Sequence, residues 1–166
     1  MLKEVKVSGL SIDPITHTPI VLLKDKESQE VIPIWIGLLE ASSIATQLEN
    51  IKLARPMTHD LMKNILNHLD AVVSRVEVND LRNNTFYAII HLDWNGMDFA
   101  IDARPSDAIA IALRTKSPIF VHQKVIEKSR KVDLAQRAEG EGVLDEKKWE
   151  EILEDLSPED FGKYKM

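Results

Sequence analysis

Two periods run along this chain, a strict alternation of apolar and polar residues in the first third and a three-to-four spacing in several later segments. Val5 and Val7 alternate with Glu4 and Lys6, the pattern of a half-buried strand. The apolar runs Pro19–Leu23 and Val31–Ile36 predict two more strands, joined as a hairpin through the charged stretch Lys24–Glu30. Pro33 cannot donate to a sheet ladder, so its strand should lie at an edge or carry a bulge. After Gly37, Ala41, Ile44, Ala45 and Leu48 recur at helical spacing. A second amphipathic helix is expected with Thr58 as its N-cap, Asp60 in its first turn, and Leu61, Met62, Ile65, Leu66 and Leu69 as its buried face.

Strand patterns return at Val72–Leu81, Phe86–Leu92 and Met97–Ile101. Asp93-Trp-Asn-Gly predicts a tight turn between the last two, because Asn and Gly tolerate positive φ. Pro105 suits the first turn of a helix, and Ala108–Leu113 is apolar on most faces. Ile109, Ala110, Ala112 and Leu113 should therefore be almost fully buried. Pro118–Val121 reads as a short strand and Gln123–Lys131 as a polar helix.

The pattern is that of an α+β fold, a mixed or antiparallel sheet built from hairpins with packed helices. Placing Ile36 over Ile101 also superposes Ile44 on Ile109, Ala45 on Ala110 and Leu48 on Leu113, which suggests two related β-hairpin–helix units. The expected organisation is a body over residues 1–128 and an acidic helical extension over 129–166. In that extension Glu139-Gly-Glu-Gly forms a break, and Asp145 caps a helix with Trp149, Ile152, Leu153 and Leu156 on one face. A helix of that length is marginal alone in water and should dock on the body or on a second copy.

At 166 residues with 44% hydrophobic content, the chain can bury a substantial core. It has no cysteine, which removes disulfides, thiolate metal sites and a thiol nucleophile. The apolar runs fall far short of the roughly 20 residues a membrane helix needs, and the first residues lack the apolar stretch of a signal peptide. A cytoplasmic protein without a membrane partner is expected. The net charge of −6 and pI near 5.4 oppose a general affinity for nucleic acid. The charge is uneven, however. From Ser129 onward there are 7 Lys/Arg against 11 Asp/Glu, leaving 14 against 16 in the body. P-loop, GxGxxG, GxSxG and HExxH patterns are missing, so P-loop nucleotide hydrolysis and organic-cofactor binding lack support. His17, His68, His91 and His122 show no zinc spacing and read as structural.

Two segments concentrate polar chemistry: Arg55-Pro-Met-Thr-His-Asp-Leu and Ile101-Asp-Ala-Arg-Pro-Ser-Asp-Ala. Each puts Arg-Pro before a helix start, whose free N–H groups and partial positive charge can hold a phosphate beside an arginine. Both segments should lie close together on one sheet. With Pro33-Ile-Trp-Ile-Gly and Glu40-Ala they make the chain resemble, in order over roughly residues 3–125, the bifunctional nuclease (BFN) domain family. That resemblance implies a small, self-associating α+β domain, at least a homodimer, with members that degrade both DNA and RNA.

Under a nuclease reading, His59 is the general acid or base. Asp102 and Asp107 join it as catalytic candidates and, with Glu40, as hard oxygen ligands for Mg²⁺ or Mn²⁺. Arg55, Arg104, Thr58 and Ser106 are the phosphate-binding candidates. Asp60 should point away from His59. Two other readings use the same residues: a non-catalytic interaction or regulatory module, in which Arg55 and Arg104 pair with Asp60, Asp102 or Asp107, and a binder of a small phosphate ligand.

Overall fold

The computed structural model describes residues 1–137; the expected tail helix with its Trp149 face lies outside the described residues. Strands β1 (Leu2–Ile12), β2 (Pro19–Asp25) and β3 (Val31–Trp35) form an antiparallel meander followed by helix α1 (Leu38–Leu48). Helix α2 (Thr58–His68) leads to a second antiparallel meander, β4 (Val72–Arg82), β5 (Thr85–Trp94) and β6 (Met97–Ala103). Helix α3 (Pro105–Thr115), strand β7 (Ile119–His122) and helix α4 (Gln123–Arg137) complete the described chain.

The seven strands form one sheet in the order β3-β2-β1-β7-β4-β5-β6. β7 joins the two meanders, antiparallel to β1 and parallel to β4. The mixed α+β architecture expected from the sequence is present. Each expected hairpin–helix unit carries one strand more, and each unit ends at a sheet edge. β3, the strand of Pro33, is one of those edges. The turn from β5 to β6 places Asn95 at φ 53° and Gly96 at φ 74°, the two left-handed positions for which Asn-Gly is suited.

Burial follows the alternation closely in β2 and β3, where Val21, Leu23, Ile32 and Ile34 are inaccessible and their neighbours partly exposed. Opposite them, α1 and α3 pack on each other, and Ala108 through Ala112 are sealed from solvent. Small alanines on α3 let the two helices approach closely. Leu113, expected to be almost fully buried, is only partly buried against the core. α4 packs against β3, β7 and β4, with Val125 and Ile126 buried. With no glycine or proline before Gly140, α4 continues past Lys131 to Arg137.

α2 departs most from expectation. Its periodicity holds, but Leu61, Ile65 and Leu69 are 50, 50 and 53% exposed, Met62 is open as well, and Leu66 only partly covered. The one buried residue of α2 is His59. The helix therefore contacts α3 without burying its apolar stripe in the described body. Its N-cap is Met57 rather than Thr58, because Asp60 Oδ2 accepts the Met57 N–H at 3.0 Å and Thr58 is already helical. β6 is similarly open on both faces, with Met97, Phe99 and Ile101 exposed. No helix of the described residues is long and apolar enough to cross a membrane.

Candidate active site

The amino ends of α2 and α3, one face of α1 and the end of β6 surround a cleft of about 610 Å³. The sheet brings these ends together because α1 and α3 follow corresponding strands of the two meanders. His59 stands in its wall with both ring nitrogens engaged. Nε2 lies 2.9 Å from Asp107 Oδ1, and Nδ1 lies 2.7 Å from Ser43 Oγ. An ionised carboxylate only accepts hydrogen bonds, so Nε2 carries the proton. In the neutral ring Nδ1 then accepts the Ser43 hydroxyl.

Asp107 is ionised by its surroundings. Burial pushes its carboxyl up, but hydrogen bonds from Arg104 and His59 and the charge of Arg104 outweigh this and hold it below the ordinary carboxylate range. Arg104 Nε donates to Asp107 Oδ2 at 2.9 Å, its Nη2 to Oδ1 at 3.3 Å, and its Nη1 to Glu40 Oε1 at 2.8 Å. The two carboxylates raise the guanidinium's already high pKa. Three of its five N–H groups serve carboxylates, leaving two for a ligand. The Glu40–Arg104 pair also borders a second cleft, of about 440 Å³, shared by Trp35, Phe86 and Ser106.

A second arginine lies behind the first layer. Arg114, 5% exposed, donates from Nε to Asp60 Oδ1 at 2.7 Å, from Nη1 to the Ala110 carbonyl and from Nη2 to the Ser43 carbonyl, both at 3.0 Å. It thereby ties α1, α2 and α3 together directly beneath Ser43 and His59. Burial raises the Asp60 carboxyl, and the hydrogen bonds from Arg114 and the Met57 N–H more than reverse this.

The structure thus brings His59, Asp107, Arg104, Glu40, Asp102 and Thr58 to one cleft. The expected closeness of the Arg55–Asp60 and Asp102–Asp107 segments is present, carried by the His59–Asp107 contact. Asp102 is exposed at the rim and has no ion-pair partner among the described residues. Ser106 lines the neighbouring cleft instead. Arg55 is exposed on the loop between α1 and α2, outside the cleft lining. The pairing expected of Arg55 with Asp60 is made by Arg114. Among the described residues, no three His, Asp or Glu side chains gather as the ligand set of an ion. Glu40 and Asp107 both face Arg104, so a Mg²⁺ or Mn²⁺ held there would have to displace a guanidinium. Of the three candidate ligands, Asp102 alone is without an ion pair among the described residues.

Ser43 and Arg114 escape the sequence reading. Ser43 lies one helical turn beyond Glu40, and Arg114 is the one charge that follows an otherwise apolar run. A charge attached to so buried a helix demands a partner, and that was the available signal.

The model of the bifunctional nuclease domain matches residues 21–133. The chain belongs to the bifunctional nuclease domain family. It is 34% identical to an uncharacterised protein of Mycobacterium tuberculosis strain H37Rv, over 95% of this chain and 97% of that one. Bifunctional nuclease 1 of Oryza sativa subsp. japonica is 28% identical over 68% of this chain and 35% of its own length. Bifunctional nuclease 2 of Arabidopsis thaliana is 28% identical over 64% of this chain and 33% of its own. The chain therefore spans about a third of the length of these two plant proteins.

Proposed function

We propose that this protein hydrolyses phosphodiester bonds in DNA and RNA at the cleft between α1, α2 and α3. The observation that carries the reading is His59, braced between a hydroxyl and an ionised carboxylate in the wall of an open cleft. A histidine so placed can take up a proton and return it, and the carboxylate stabilises the imidazolium formed when it does. Arg104 offers its remaining N–H groups to phosphate oxygens. The loop that contributes Leu53 and Met57 to the cleft also carries exposed Lys52 and Arg55, which add positive charge near its rim. Kinship with the plant bifunctional nucleases supports the substrate class. Because Arg104 engages two of the three candidate ligands, Glu40 and Asp107, no step is routed through an ion.

The test uses rigorously purified protein with labelled single-stranded DNA and RNA, in chelator and with added Mg²⁺ or Mn²⁺. Cleavage should occur in chelator and fall about 10²–10⁴-fold in His59→Ala. Equal cleavage by both preparations would assign the activity to a contaminant and overturn the reading. Strict dependence on added ion would overturn its metal-free form.

A second observation favours association. Leu61, Ile65 and Leu69 on α2 and Met97, Phe99 and Ile101 on β6 are exposed, and β6 has a free outer edge among the described residues. We propose that a second copy of this chain covers these residues.

A further inference from the structure

We infer that Ser43 is the attacking nucleophile of this site and passes the scissile phosphoryl group through a phosphoserine; this rests on the phosphodiesterase reading above. The argument begins with what His59 can reach. Its side chain is about a tenth exposed, its Nε2–H belongs to Asp107, and its Nδ1 is occupied by Ser43 at 2.7 Å. No ring nitrogen is left to polarise a water molecule. The proton route from His59 to the cleft runs through the Ser43 hydroxyl, which is half-buried in the cleft wall. A hydroxyl, an imidazole and a carboxylate in this order, at 2.7 and 2.9 Å, form the arrangement that activates a serine.

The support behind the hydroxyl is rigid. Arg114 holds the Ser43 carbonyl from below, and the same guanidinium holds Asp60, the neighbour of His59. Nucleophile and base are therefore positioned by one buried group. Arg104 stands beside Asp107, where its two remaining N–H groups can meet the phosphoryl oxygens as charge moves onto them.

The reaction balances in two steps. Ser43 Oγ bonds to phosphorus while the bond from phosphorus to the departing sugar oxygen breaks. The serine proton moves to His59 Nδ1 and then to that oxygen. Water next attacks the phosphoserine and gives its proton to Nδ1. The phosphorus–Oγ bond breaks, and Ser43 recovers the proton, leaving a phosphate monoester on the second product. Because the nucleophile belongs to the protein, no 2′-hydroxyl is needed, and DNA and RNA are equally open to attack.

The test separates this inference from the substrate reading. The full chain is treated with diisopropyl fluorophosphate, and the adduct is mapped by mass spectrometry. One adduct on Ser43 is expected, absent in His59→Ala and unchanged in the Ser42→Ala control. Cleavage by Ser43→Ala should fall at least about 10²-fold with an unaltered circular dichroism spectrum. An unlabelled Ser43 with undiminished cleavage by Ser43→Ala overturns the nucleophile and leaves the phosphodiesterase standing. A labelled Ser43 in a protein that cleaves no nucleic acid supports the nucleophile and overturns the substrate.

Discussion

Asp60→Asn tests whether the buried arginine is what holds the site in shape. The substitution keeps the size of the side chain and removes the charge facing Arg114 Nε at 2.7 Å. Breaking a fully buried pair costs about 3–5 kcal/mol. Here the Arg114 side chain is 3% exposed but that of Asp60 is 35%, and Arg114 keeps two carbonyl partners. Screening and these retained bonds reduce the expectation to roughly 1.5–3 kcal/mol. For a chain of this size that lowers Tm by roughly 4–10 °C.

The pH dependence has a definite sign. Asp60 is held below its ordinary value when folded, so its contribution is complete above the ordinary carboxylate pKa of about 4 and disappears as pH falls through the lower folded value. Urea unfolding of both proteins should show the full gap at pH 7 and a closing gap below about pH 4. Introduced into Arg114→Met, the same substitution should cost less than about 0.5 kcal/mol. A gap that persists at low pH, or is undiminished in the Arg114→Met background, would refute the reasoning.

Three further outcomes follow from the same structure. Ile109→Asp places a carboxylate without a partner at a fully buried position of α3, and no folded protein should be recovered; a native circular dichroism spectrum would contradict this. Light scattering of the wild type should give about twice 18.8 kDa, and Leu61→Lys with Ile65→Lys should return the mass to 18.8 kDa; a wild-type monomer at micromolar concentration removes the association proposal. Arg104→Lys cannot reproduce a fork that spans Glu40 and Asp107 while offering N–H groups outward, so KM for nucleic acid should rise several-fold; unchanged kinetics would place phosphate binding elsewhere.

Local pattern carries far where one physical requirement dominates. The β5–β6 turn was legible because Asn-Gly satisfies two positive φ angles, and α3 because an apolar helix has nowhere to go except the core. Hydrophobic spacing in α2 was equally clear, yet it located the stripe and not its partner. Periodicity reports that a face needs covering; only the arrangement of all elements decides whether the same chain covers it. The site divides along the same line. His59, Arg104 and Asp107 announce themselves beside prolines at helix starts. Ser43 sits within a helix between buried residues, and its role arises solely from a contact sixteen positions away in sequence.

The acidity of the site fits the chemistry proposed for it better than it fits tight binding. Glu40 and Asp107 share one guanidinium, and Asp102 adds a third negative charge at the rim, so a polyanion gains little from the cleft floor. Asp107 is placed against the nitrogen of His59 remote from Ser43, where its charge matters when the ring becomes an imidazolium. In the proposed reaction its interaction is strongest when that ring is protonated, which is the condition for accelerating a chemical step. On the proposed reading, substrate attraction rests on Arg104 and on Lys52 and Arg55 in the neighbouring loop, all exposed and all open to screening by salt. Raising ionic strength should weaken KM while leaving kcat nearly unchanged. A fall in kcat of the same size would mean that the screened charges act in the chemical step, and the division of labour between rim and relay would be wrong.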